Sequence, residues 1–430
     1  MAVELTATGA DQMAAMPAIP AAGSRVAVSG ARVFDARAGR WAAGTTVLID
    51  GRHIAEVTGA APDGWPALHL PGASLLPGFI DAHTHVLLRS TLDQLDLARQ
   101  MIEENPGHRV ASAVQAMSVA LAHGFTTIRD LGTEGAGYLD VGLRDAAREG
   151  IVPGPRMLVA GPAIRSTGRY PIPGYPHSVT FPVGVDCCTG PDACWETVRT
   201  QIAYGIDVLK IYASGRVDPP ADSGGYPDGP LVWTPEEMAA LVGEAHRQGI
   251  RVAAHAQTIS GTWLAVTGGV DSIEHGFAIS PELAAEMAGR GTVLVPTLLV
   301  SREAAERGWY VQEPVRAAHD RSFANCLAAG VRIALGTDVG GFEWTRVSQA
   351  EEFSLMARLG MSHADALRAG TFVAAELLGL AGTAGVIEAG AAADIVAVAG
   401  DPLQDIDCVR QVQLVIQHGR IAWDGRQIPA

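Results

Sequence analysis

The chain has 430 residues, 48% hydrophobic and 18% charged, which is enough apolar material for a large core and a length suited to one large domain with a smaller one or two medium ones. Its 46 Asp and Glu outnumber 31 Lys and Arg, for a formal charge of -15; with no basic stripe, a nucleic-acid partner is excluded as an expectation, because such binding draws on clustered cations. No run of eighteen apolar residues predicts a membrane span, and five cysteines (Cys187, Cys188, Cys194, Cys326, Cys408) without a repeating spacing suit a reducing, cytoplasmic compartment.

Residues 1–24 are rich in Ala, Met and Pro but carry Glu4 and Asp11, and they lack the basic start and unbroken apolar stretch of a leader, so a flexible tail is expected. From Arg25 to Ser74 short apolar runs are punctuated by Gly and Asp, as in Val47-Leu48-Ile49 before Asp50-Gly51, which predicts a small β unit. Residues 381–430 have the same texture. The two ends, 25–76 and 381–430, are therefore expected to pair as one β-sandwich around a central insertion.

Between 77 and 380, apolar strand-like runs alternate with helical stretches such as 235–248 and 280–290, an alternation that implies parallel strands covered by helices. Candidate strands fall at 78–82, 126–130, 156–160, 207–212, 251–256, 272–275, 293–296 and 332–337. Eight in about three hundred residues suit a (β/α)8 TIM barrel. An open doubly wound sheet competes with it, but no Gly-rich turn follows the first strand to hold a nucleotide phosphate.

The first of these strands runs into Asp81-Ala82-His83-Thr84-His85. Residues two apart on a strand share a face, so His83 and His85 converge as two ligands of one metal must; the plainer alternative, less favoured even for the pair alone, is a surface strand with two unrelated histidines. In Asp207-Val208-Leu209-Lys210-Ile211-Tyr212 a lysine sits inside an apolar run. Desolvation favours its neutral amine, which can take up carbon dioxide to give a carbamate able to bridge two cations; the plainer alternative is a lysine snorkelling to solvent. His255 and His275 end the next two strands, and Asp338 ends the last. Alone, each histidine would be an ordinary polar strand end and Asp338 a helix cap. Together they form two coordination spheres: His83, His85 and Asp338 on one ion, His255 and His275 on the other, and carboxylated Lys210 between them. Imidazole and carboxylate donors suit zinc. Asp338 is placed to accept and return a proton, so Asp338 and Lys210 are the expected catalytic residues.

These segments, with Gly336-Thr337-Asp338 and the closing Gly390-Ala391-Ala392-Ala393-Asp394-Ile395-Val396, resemble the amidohydrolase superfamily of metal-dependent hydrolases over nearly the whole chain after the tail. Gly124-Phe125-Thr126-Thr127-Ile128-Arg129-Asp130 and Gly385-Val386-Ile387-Glu388-Ala389-Gly390 are similar to an imidazolonepropionase-related branch that includes binuclear prolidase-like carboxypeptidases and bacterial ochratoxin A hydrolases. The resemblance supports the barrel, the sandwich and each ligand, and Lys210 favours the carboxypeptidase-like side. Where relatives tend to carry Gly-Gly-His after the third strand and Gly-Gly after the lysine strand, this chain has Arg165-Ser166-Thr167-Gly168-Arg169-Tyr170 and Ser214-Gly215-Arg216.

The expected activity is hydrolysis of an amide next to a free carboxylate, in an N-acyl amino acid, a dipeptide or an ochratoxin A-type aromatic amide. Arg165, Arg169, Tyr170, His177, Tyr212 and Arg216 are the candidate substrate-binding residues, with Leu87, Leu88, Tyr175 and Trp344 as apolar neighbours for a bulky group. The alternatives are a hydrolase of cyclic amides, lactams or lactones, and a non-catalytic binding barrel. A small-molecule substrate, two divalent ions, no nucleic-acid or membrane partner and a homo-oligomer complete the expectation.

Overall fold

The computed structural model describes residues 25–91, 94–168, 178, 184–215, 225–308 and 313–427; the expected tail at 1–24 lies outside them. Two sheets are built from the chain ends. One orders His53–Thr58, Thr46–Asp50, Arg25–Ser29 and Ala67–His69; the other orders Arg420–Asp424, Val412–Gln417, Ile395–Ala399, Ala73–Pro77, Arg32–Asp35 and Arg40–Trp41. The C-terminal strand Ile395–Ala399 pairs antiparallel with Ala73–Pro77, residue for residue from Ile395 opposite Pro77 to Ala399 opposite Ala73. Val28, Val47, Ile49 and Ile54 from the first sheet share an apolar cluster with Val33, Leu75, Ile395 and Leu414 from the second.

The central stretch forms two parallel sheets. Arg156–Val159, Phe125–Asp130 and Phe79–Thr84 make the first; Asp186–Cys188, Ile164–Ser166, Val208–Tyr212, Arg251–Ala256, Ser272–His275 and Val293–Val295 make the second. Hydrogen bonds run between them at two places. Asp207 N donates to Val159 O at 2.8 Å, and residues 332–339 bond on one side to Leu294 and on the other to Ala82, His83 and His85. That segment, expected as an eighth strand, is held through isolated bridges, Leu294 to Ile333 and Thr84 to Val339, rather than a regular ladder. The short pair Ile164–Ser166 and Asp186–Cys188 was not expected; Cys187 and Cys188 thus lie on a strand rather than in a loop.

Helices cover the parallel strands where the sequence places their signals. Pro235–Arg247 begins with a full capping box between Thr234 and Glu237 and buries Met238, Leu241, Val242 and Ala245, a spacing that keeps one stripe inward. Pro281–Arg290 starts on a Ser280 cap and stops at Gly291, whose φ of 76° suits a residue without a side chain. Asp394, from the closing motif, ties the two regions together: it pairs with Arg156 at 3.0 Å, its carboxylate accepts from His418 N, and its carbonyl accepts from Gly78 N. Among the described residues no helix is long and apolar enough to cross a membrane.

Candidate metal centre

The six expected ligands meet at the C-terminal ends of the parallel strands. The period-2 rule brings His83 and His85 together with ring centroids 5.4 Å apart. Their Nε2 atoms lie 3.6 and 3.2 Å from Asp338 Oδ1. Lys210 Nζ is 3.5 Å from His83 Nε2 and the residue is 2% exposed, so it does not snorkel. His275 lies 5.0 Å from His83 and 4.5 Å from His255, ring to ring. Strand register then sets Tyr212 opposite His255, with their rings 4.8 Å apart.

Backbone strain concentrates here. Of the five described non-glycine residues with positive φ, His275 (69°) and Asp338 (57°) belong to the site, Thr297 (50°) contacts His275, and Glu134 (43°) contacts Tyr212. L-residues adopt this conformation at a cost of about 1–2 kcal/mol each, and such strain gathers where function requires an orientation that regular structure does not give. At His275 the consequence is direct: strand alternation would send Glu274 and His275 to opposite faces, whereas both reach His83.

His83, His85 and His275 each have their other nitrogen occupied. His83 Nδ1 is 2.8 Å from Glu274 Oε2, His85 Nδ1 is 2.8 Å from the Gly132 carbonyl, and His275 Nδ1 is 2.9 Å from Thr297 Oγ1. Burial, reinforced by the Lys210 charge, pushes the His83 and His255 imidazoles well below their ordinary range, and burial with the neighbouring imidazoles does the same to His275. They are held neutral, the form that ligates metal. Burial also lowers His85, but the Asp338 hydrogen bond and charge outweigh it and raise it to about 9. Burial brings Lys210 down to about 8 against the pull of Glu274 and Asp338. Although burial opposes the Asp338 carboxylate, His83, His85 and Lys210 keep its pKa below the usual value. One ligand atom from each of His83, His85 and Asp338 lies within 4.8 Å of the others, an arrangement that fits a divalent ion.

Of the substrate candidates, Arg165 and Tyr212 are brought together beside the candidate ligands: the Arg165 guanidinium carbon stands 5.1 Å over the Tyr212 ring, and Tyr212 Oη donates to Glu134 Oε1 at 2.8 Å. Arg169, Tyr170, His177 and Arg216 lie outside the described residues, as does Tyr175. Leu87, Leu88 and Trp344 are buried. Sequence reasoning missed Glu274, Arg129, Glu134 and Thr297. The signal that selected Lys210, a charge inside an apolar strand, was also present at Arg129 and Glu274.

Residues 74–422 match the amidohydrolase family. The chain is 28% identical over 385 residues to ochratoxinase of Aspergillus niger, an alignment spanning 82% of this chain and 75% of that one. Among solved structures it is similar to a Xaa-Pro dipeptidase with bound methionine, at 29% identity and a TM-score of 0.82 over 94% of this chain and 100% of the other. It is likewise similar to a prolidase complexed with N-methylphosphonate-L-proline, at 31% identity and a TM-score of 0.80 over 93% and 99%.

Proposed function

Because this chain belongs to the amidohydrolase family, we propose that it is a binuclear metal-dependent amide hydrolase of carboxypeptidase-like specificity, cleaving an N-acyl amino acid, a dipeptide or an ochratoxin-type aromatic amide next to a free carboxylate. The observation that carries this reading is the convergence of His83, His85, Lys210, His255, His275 and Asp338 at one end of the parallel strands. His83, His85 and Asp338 would hold one ion, His255 and His275 the other, and Lys210, as a carbamate, would lie between them; zinc is the ion that best suits these donors. Bound divalent ions would polarise the amide carbonyl and lower the pKa of water toward about 7.

The chain's own groups supply the rest. Asp338 takes a proton from the attacking water and returns it to the leaving nitrogen. The Arg165 guanidinium, stacked on Tyr212, offers charge-assisted hydrogen bonds to the substrate carboxylate and thereby aims its carbonyl at the site. Arg169, Tyr170, His177 and Arg216 are proposed to join Arg165 and Tyr212 at the rim. The dipeptidase, prolidase and ochratoxinase relatives support an amide whose leaving part is an amino acid.

We read the two parallel sheets and their linking bonds as a closed (β/α)8 barrel over 77–380, and the end sheets as a β-sandwich of 25–76 with 381–430. Comparison of kcat/KM for an N-acyl amino acid and its methyl ester tests the specificity. The ester should fall by roughly 10²-fold, the scale of a lost pairing with a buried charge. Equal rates refute the carboxylate anchor and favour a cyclic amide or lactone substrate.

A further inference from the structure

We infer that Glu274, held by Arg129 and Ser272, is a positioning residue that orients His83 and strengthens it as an imidazole donor of the centre; this rests on the metal-dependent reading above. Three acceptors of different strength stand behind three histidines: a carboxylate behind His83, a carbonyl behind His85 and a hydroxyl oxygen behind His275. A carboxylate at Nδ1 fixes the proton there, leaves the Nε2 lone pair free for an ion, and raises the basicity of the ring more than a neutral acceptor does.

The carboxylate is itself held on every side. Glu274 is fully buried, and its other oxygen accepts from Arg129 Nη2 at 2.9 Å and from Ser272 Oγ at 2.5 Å. Arg129, 2% exposed, donates through Nε to the carbonyl of Ala82 at 2.6 Å, the residue just before His83. One guanidinium thus grips both the acceptor behind the imidazole and the backbone that carries it, so ring and carboxylate keep a fixed relation across two separate strands. Burying this ion pair is costly, and two well-packed apolar residues would serve stability at least as well. Its placement accounts for it: the pair ends on the Nδ1 atom of a ligand.

The test is a zinc titration of chelator-treated protein in competition with a chromogenic chelator, for wild type, Glu274→Gln and the double variant Arg129→Met with Glu274→Gln. Glutamine keeps the shape and one acceptor oxygen but removes the charge. Affinity for one zinc equivalent should fall about 10- to 100-fold in Glu274→Gln. The double variant, which leaves no buried unpaired charge, should show the same loss. Cobalt-loaded Glu274→Gln should also show a shifted visible absorption band. A double variant that binds zinc as tightly as wild type would mean that Glu274 serves only to neutralise Arg129, and the inference fails; unchanged affinity in Glu274→Gln fails it equally. Wild type that takes up no zinc overturns the metal reading itself, a result distinct from either.

Discussion

Replacing Gly340 with alanine should damage the centre without touching a ligand. Gly340 has a φ of 97°, and a Cβ there would stand 2.2 Å from the carbonyl oxygen of His85 and 2.7 Å from its Cβ. Real Cβ atoms keep at least 3.0 Å from such neighbours, so the two backbones must part by about 0.8 Å in a close-packed interior that yields little. His85 N is also bonded to Val339 O at 2.8 Å, one residue away, so the movement falls on His85 itself. Its Nε2 now lies 3.2 Å from Asp338 Oδ1; misplacement near 1 Å costs about 10²-fold in rate. Gly150→Ala is the control, with a φ of 76° at the end of Leu139–Glu149 and nothing within 4 Å of its Cβ. It should lose about 1 kcal/mol from backbone strain alone and keep its activity. Bound metal by elemental analysis, kcat/KM and Tm would be measured on both. If Gly340→Ala matches Gly150→Ala in metal content and turnover, the His85 contact does not position the centre.

Asp338→Asn should lower kcat by roughly 10²-fold or more while metal content falls less, as expected for a lost general base; near-normal turnover places the base elsewhere. Lys210→Ala should lose metal and activity, with partial recovery in short carboxylic acids that supply the missing oxygens. Because only the neutral amine takes up carbon dioxide and Lys210 sits at about 8, reloading of chelator-treated wild type with zinc at a fixed concentration of dissolved carbon dioxide should quicken as pH rises toward 8 and level off above it, and a rate flat in pH under that condition refutes the carbamate. Glu352, whose two oxygens accept from Leu298 N and Leu299 N, is pushed by burial from 4.5 to about 8. The folded state therefore holds a proton that the unfolded chain releases near 4.5, and stability is lost as pH climbs from there to 8. Thermal unfolding of Glu352→Gln between pH 5 and 9 should show a shallower decline than wild type, and parallel curves count against this.

The sequence by itself determined which candidate ligands the chain offers and their order along it. His83 and His85 were legible because a strand repeats every two residues, and Lys210 because an ammonium is out of place in an apolar run. The helical stretches at 235–248 and 280–290 were legible, and the structure bounds them with Thr234, Ser280 and Gly291, whose capping roles are local. What depended on distant residues was not legible. Residues 332–339 are set by bonds to Leu294 on one side and to Ala82, His83 and His85 on the other, so their irregular path has no local signature. Glu274 stands next to His275 in sequence, yet its partner is His83, 191 positions away. His275, Thr297 and Asp338 point as they do because each takes a left-handed conformation that its own side chain disfavours. Only the packed tertiary structure can impose that conformation, since the surrounding contacts must outweigh a local cost that no property of the residue would reveal.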